Sequence, residues 1–261
     1  MADYLEDFVL TPRDSPQHRA IRSGYTGPKN NMGEPDTTGT NEIGTMIYPP
    51  NEHYASYSGQ WRNGEFEGYG TVRFGSDNTG HTYTGEFNHG ELHGRGVYTF
   101  PDGQVLDGEF RDDKIVRGKH VCPGYYTFQG NFVDGKMHKG TMIADDGTIF
   151  EGTFETPTKR VGVFKYTDGD IMTGTFNLVE GGWKLNGYGE MIVNSMPTKY
   201  TYKGHFRNGL KHGRGTIRMT GYRYSAEYDN DRETNKSRRM LSMGGSLNKR
   251  TRRRGMKIKN T

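Results

Sequence analysis

The sequence predicts an all-β protein: an elongated, single-layer antiparallel sheet of stacked β-hairpin repeats, with extended arms at its N- and C-terminal ends. Three observations carry that expectation. A short phrase recurs at an almost constant period, its residues alternate at the spacing of a strand, and turn-forming pairs sit where the two strands of a hairpin would join.

The phrase is clearest at Tyr57-Ser-Gly59-Gln-Trp61-Arg-Asn63-Gly64, and it returns at Tyr83-Thr-Gly85-Glu-Phe87 and at Tyr202-Lys-Gly204-His-Phe206. Weaker copies are marked by Leu106-Asp-Gly108-Glu-Phe110, Phe128-Gln-Gly130-Asn-Phe132, Phe150-Glu-Gly152-Thr-Phe154 and Met172-Thr-Gly174-Thr-Phe176. An eroded eighth copy stands at Tyr224-Ser-Ala226-Glu-Tyr228. The steps between first residues are 26, 23, 22, 22, 22, 30 and 22. A step of 22 or 23 residues is too short for a helix-turn-helix unit and suits two strands with two turns.

In a strand, residues i, i+2 and i+4 share one face, so Tyr57, Gly59 and Trp61 point the same way. The glycine leaves a gap between two rings, where a ring from the neighbouring strand is expected to lie over bare backbone. Pairs such as Asn63-Gly64 and Asn208-Gly209 suit positive φ and a tight turn. A second apolar alternation follows each turn, at Val72 and Phe74, Tyr98 and Phe100, Met142 and Ala144, Phe164 and Tyr166, Met191 and Val193, Ile217 and Met219. Turns such as Asp102-Gly103 and Asp168-Gly169 then return the chain to the next copy.

These residues resemble the MORN repeat (membrane occupation and recognition nexus), whose pattern runs aromatic-x-Gly-x-aromatic-x-Asn-Gly-x-x-x-Gly-x-Gly. The resemblance covers roughly residues 44–228, with about seven to eight copies. The copies beginning at Leu106, Phe128 and Phe150 have shorter loops without the paired glycines, so their hairpins are expected to turn differently. The resemblance implies a non-enzymatic structural scaffold in a large cytoskeletal assembly. Stand-alone proteins of this kind are commonly parts of cilia and flagella, including radial-spoke heads of the axoneme. The alternative it implies is a peripheral membrane-associated adaptor that binds anionic lipid.

Composition agrees with a thin sheet. Glycine fills 39 of 261 positions, about twice the usual ~7%, and apolar residues make up 31%. A thick layered core is not expected, and rings stacked between neighbouring hairpins would have to stabilise the sheet. The single Cys122 excludes an internal disulfide framework and reads as a small buried thiol. No apolar run approaches the ~18 residues of a membrane span, and the acidic start Met1-Ala-Asp3-Tyr-Leu-Glu6-Asp7 is unlike a targeting peptide. A cytoplasmic, cytoskeletal location is the expectation.

Three regions follow: an extended N-terminal arm over residues 1–42, the hairpin array over 43–230, and a basic tail over 231–261. Gly44-Thr-Met46-Ile-Tyr48 reads as the second strand of a hairpin that lacks its first. The array carries two insertions, 177–183 and 194–199, and Trp183 on the first is a candidate partner contact at a loop tip. Residues 232–261 hold eleven Lys or Arg against Glu233 alone. Within them Arg238, Arg239, Lys249, Arg250, Arg252, Arg253 and Arg254 are candidate contacts for an acidic partner, whether tubulin, RNA or anionic lipid. Other protein subunits are the expected partners.

No motif points to catalysis, a cofactor, a metal or a small-molecule substrate. Gly90-x-x-x-Gly94-x-Gly96 has neither the spacing nor the strand and helix context of a phosphate loop. His89, His93, His138 and His212 fall in the variable loops of separate hairpins, without zinc spacing. Glu86, Glu109 and Glu151 recur singly on the outward side of the sheet, which suits a solvated face better than an acid/base pair.

Overall fold

A computed structural model describes residues 24–76 and 79–235, and in it the alternation of the repeats becomes one continuous antiparallel sheet of eighteen strands. Each strand pairs only with its sequence neighbours. The first three hairpins are β1 (Tyr25–Thr26) with β2 (Gly44–Ile47), β3 (Tyr54–Arg62) with β4 (Glu65–Phe74), and β5 (Thr82–Asn88) with β6 (Glu91–Thr99). The middle three are β7 (Val105–Arg111) with β8 (Lys114–Cys122), β9 (Tyr126–Val133) with β10 (Lys136–Ala144), and β11 (Ile149–Thr156) with β12 (Lys159–Lys165). The last three are β13 (Ile171–Val179) with β14 (Gly182–Val193), β15 (Tyr200–Arg207) with β16 (Leu210–Met219), and β17 (Tyr222–Asp229) with β18 (Arg232–Asn235). At the usual strand spacing the sheet runs on the order of 80 Å along its hydrogen-bonding direction.

One register feature ties the array together. The repeat glycines stand directly opposite one another from strand to strand: Gly44, Gly59, Gly70, Gly85, Gly96 and Gly108 in succession, then Gly118, Gly130, Gly140, Gly152, Gly162 and Gly174. After a bulge in β13–β14 the row resumes at Gly189, Gly204 and Gly215 and stops at Ala226. The aromatic ring that begins a copy lies over this bare backbone. A Cβ on Gly70 would fall 2.6 Å from Cζ of Tyr57, and one on Gly59 would fall 2.5 Å from the Tyr57 hydroxyl oxygen. One ring therefore covers two glycines, the one two residues on in its own strand and, as the alternation suggested, the one opposite in the neighbouring strand. Its hydroxyl reaches past the glycine and donates to the carbonyl three residues on, Tyr57 to Gln60 at 2.8 Å and Tyr83 to Glu86 at 3.0 Å.

The rings then interlock edge to face. Tyr57 meets Trp61 of its own copy at 5.0 Å and Phe87 of the next at 5.2 Å; Phe128 meets Phe132 and Phe154 in the same way at 5.2 and 5.3 Å. Such pairs are worth about 0.5–1.5 kcal/mol beyond the area they bury. The zigzag loses its ring where a copy begins with Leu106 or Met172. Because every inward residue is drawn into this layer, Tyr57, Tyr83, Phe128 and Tyr202 are fully buried in a sheet one strand thick.

Turns fasten each hairpin to the one before. Asn63 and Gly64 have φ of 48° and 84°, and Asp112 with Asp113 and Asp134 with Gly135 repeat that left-handed pair. The copies at Leu106 and Phe128 thus turn as the copies at Tyr57, Tyr83 and Tyr202 do, contrary to expectation; of the three short-loop copies that at Phe150 departs, placing Pro157 and Thr158 in the turn. The second turn residue donates its N–H to the preceding hairpin: Gly90 to Phe66 at 2.9 Å, Gly209 to Leu185 at 2.9 Å, Asp231 to Lys211 at 2.9 Å. The first glycine of each loop pair, such as Gly68 at φ 61°, sits in a bulge inside the second strand and not in the turn.

The N-terminal end holds the largest departure from the sequence expectation. The first strand thought to be missing is present: Tyr25 and Thr26 pair with Met46 and Thr45, and the Tyr25 hydroxyl donates to Pro28 three residues on, as in the full copies. Tyr25-Thr26-Gly27 is therefore a further copy, disguised because Lys29 stands where the second ring belongs and because its loop is long. That loop imitates an absent hairpin. Pro35 accepts the Gly64 N–H at 2.8 Å, and Thr37 exchanges bonds with Trp61. Residues 24–42 pack on the sheet, and β18 carries pairing past residue 230.

If the glycine row allows the rings to lie down, Gly130→Val should lower stability by about 1–3 kcal/mol, since a Cβ there falls 2.6 Å from the Phe128 ring and 2.7 Å from Gly140 Cα. Gln129→Val, one residue away on the exposed face, should stay within about 0.5 kcal/mol of the unchanged protein in the same denaturant titration.

Candidate functional site

The inner face offers two places where chemistry interrupts the hydrocarbon. Near the inter-hairpin turns, His120 occupies the position held by Val72 and Tyr98 in other copies and is 1% exposed. Its Nε2 lies 3.0 Å from Oε1 of Gln104 and its Nδ1 3.3 Å from the Tyr126 hydroxyl. With Nε2 protonated, both contacts are satisfied by neutral imidazole, and burial pushes its pKa down to about 4, against a smaller opposing pull from Asp102. Burial likewise raises the neighbouring Tyr126 phenol and the Cys122 thiol, so Cys122 is a buried, unreactive group, as its position in the sequence suggested.

The other place is Arg160. It stands opposite Phe154, in the slot filled by Phe66, Leu92, Ile115, Met137 and Leu185 elsewhere. The guanidinium lies 4.0 Å from the centre of the Trp183 ring and 4.7 Å from that of Phe154, and is 7% exposed. Desolvation lowers its pKa to about 10. Trp183 is thus not at a loop tip. The inserted residues lengthen hairpin β13–β14 by further pairs, Leu178 with Trp183 and Val179 with Gly182, and the indole packs half-buried over Arg160.

On the outer face the side chains beside the glycine row are solvated. Tyr69 and Tyr188 are 60% and 58% exposed, and Glu86, Arg95, Glu109 and Arg117 follow one another across four strands with alternating charge. Glu86 also accepts the Arg95 N–H at 3.1 Å, and Gln60 that of Tyr69 at 2.7 Å, so this position fills the bulge of the long copies. The repeat-defining rings all lie inward, Phe110, Phe176 and Phe206 among them. Arg238, Arg239, Lys249, Arg250, Arg252, Arg253 and Arg254 lie outside the described residues. Among the described residues no group of three or more His, Cys, Asp or Glu is placed to hold a metal ion. No helix among them is long and apolar enough to cross a membrane.

A scan against protein families matches the MORN repeat at residues 57–79, 83–105, 128–149 and 202–219, about a third of the chain. These four segments are MORN repeats. A comparison with curated proteins gave no match. The MORN repeats at Tyr57, Tyr83, Phe128 and Tyr202 share ring geometry and glycine register with the copies between them, so the structure carries one repeat design from Tyr25 to Tyr228. MORN repeats are in general a non-enzymatic scaffold that mediates protein or lipid interactions.

Arg160 went unnoticed in the sequence, although aligning the copies on their second ring would have shown a charge where five others carry hydrocarbon. His120 was seen only as a neighbour of Cys122. Its burial gives a test. The stability held by the neutral ring is present above pH ~6.5 and is lost as pH falls towards 4, a change on the order of 3 kcal/mol. Unfolding midpoints at pH 7 and pH 4.5 should differ less in His120→Leu than in the unchanged chain; equal differences would assign the acid sensitivity elsewhere.

Proposed function

We propose that this chain is a non-enzymatic scaffold joining protein subunits of a large cytoskeletal assembly in the cytoplasm, with the axoneme of a cilium or flagellum, in a radial-spoke-like setting, as the specific location. The observation that supports this best is the division of labour in each MORN repeat. Rings and glycines are used up in holding the sheet together, which leaves a long outer face of exposed tyrosines and alternating charges as its means of contact. Such a surface suits several partners side by side.

The second reading is peripheral association with an anionic membrane. It is favoured by residues 236–261, which carry ten Lys or Arg and no acid, at ~1 kcal/mol for each charge near such a surface. In the scaffold reading the same residues give salt-sensitive affinity for an acidic partner such as tubulin, and the sheet gives the address.

Tagged chains lacking residues 236–261 should leave the cytoskeletal fraction at lower salt than the full chain yet reach the same structure. Tyr69→Ser with Tyr188→Ser should misplace the protein with its tail intact. Recovery of the full chain with membranes, or correct placement by the tail alone, would overturn the scaffold reading.

A further inference from the structure

We infer that Arg160 and Trp183 form a binding site for a carboxylate side chain of an acidic protein segment, with the guanidinium as the ionic anchor and the indole as its cover. The inference rests on the scaffold reading, to which it adds the chemistry of one partner. Five equivalent slots show that the fold is satisfied by hydrocarbon at this point, so the guanidinium is not there to complete the sheet. A buried cation is normally matched by a carboxylate, because the loss of hydration is otherwise uncompensated. Arg160 meets three aromatic rings, Phe150, Phe154 and Trp183, and its Nη1 faces the Met142 sulfur at 3.6 Å. Among the described residues its Nε has no acceptor.

Planar guanidinium favours two-pronged pairing with a carboxylate, and an aromatic wall on one side leaves its donor edge to do so. Trp183 is the one ring of the box that is not fully enclosed: it belongs to the next hairpin, in the extended tip of β13–β14, and is half-buried. Swinging the indole aside opens Arg160 from the edge of the sheet where the intra-hairpin turns lie. On the same inner face Lys211 repeats the Arg160 slot four strands further on, opposite Phe206 as Arg160 stands opposite Phe154, whereas Lys159 and Lys184 alternate to the outer face and Lys159 is paired with Glu155 at 2.7 Å. An acidic segment crossing the strands would meet Arg160 and Lys211 about 19 Å apart.

Calorimetric titration of the full chain with a twelve-residue peptide of alternating Glu and Ser should give saturable binding at low salt, and a Gln and Ser peptide should not bind. Binding should change tryptophan emission in the unchanged chain, and the change should vanish in Trp183→Phe. Arg160→Leu should weaken affinity at least tenfold, while Lys165→Met, which removes a charge from the outer face, should change it less than twofold. Arg160→Leu should also hold or raise the unfolding midpoint, since leucine already fills this slot in two other copies. A clear fall in that midpoint would make Arg160 a structural residue and overturn the inference, as would equal affinity in Arg160→Leu or equal binding of the Gln peptide. Failure of the unchanged chain to bind the Glu peptide, with its retention in the cytoskeletal fraction intact, would overturn this site alone and leave the scaffold reading standing.

Discussion

A ring lying flat over two glycine backbones is the contact on which the rest of the array depends. With any side chain at Gly59 or Gly70, Tyr57 would have to stand up from the sheet, and its edge would no longer meet Trp61 and Phe87. The glycines weaken each strand by themselves, since an interior glycine gives up more conformational freedom than other residues. The rings offset that loss because each serves two hairpins. A sheet with one covered face acquires fully buried side chains without a second layer, which resolves how a chain with so few apolar residues can stay ordered over eighteen strands.

That economy leaves the ends exposed, and the two ends meet the problem differently. At the N-terminal edge the segment from Gly24 to Glu42 supplies what a preceding hairpin would: Tyr25 presents its ring to Trp61 at 5.4 Å, and Pro35 takes the turn N–H that Phe66 takes one hairpin later. Prolines at 28 and 35 withhold donors from that edge, which discourages pairing with another strand. At the other edge the glycine row ends in Ala226, and Glu233 stands opposite Tyr228 where hydrocarbon or a cation stands elsewhere. Repeat arrays need such atypical terminal units for the same reason that a single repeat does not fold alone.

Much of this was legible because period, alternation and turn chemistry agree. The hairpins beginning at Tyr57, Tyr83, Phe128 and Tyr202, the inward second strands and the buried thiol of Cys122 all follow from spacing. What escaped was information held between copies. Tyr25-Thr26-Gly27 lacks its second ring and sits 32 residues before the next copy, so periodicity passes over it. The inserted residues around Trp183 read as a loop because pairing beyond the usual hairpin length leaves no mark in the pattern. That Asp112-Asp113 turns like Asn63-Gly64 was hidden by the missing glycine, although Asp tolerates positive φ. Arg160 is polar in a slot whose neighbours had not been compared.

The central claim, that hairpins are held by shared rings and not by their own strand pairing, is tested most directly by native-state hydrogen exchange across the array. Strand pairing is at its most extended in β13–β14, whereas the ring zigzag is broken at Leu106 and Met172. Opening free energies should therefore be highest for amides in β3–β6 and β9–β12 and lowest in β7–β8 and β13–β14, with the Thr37 amide protected together with β3. Uniform protection along the sheet, or protection that follows strand length alone with β13–β14 among the most stable, would contradict it.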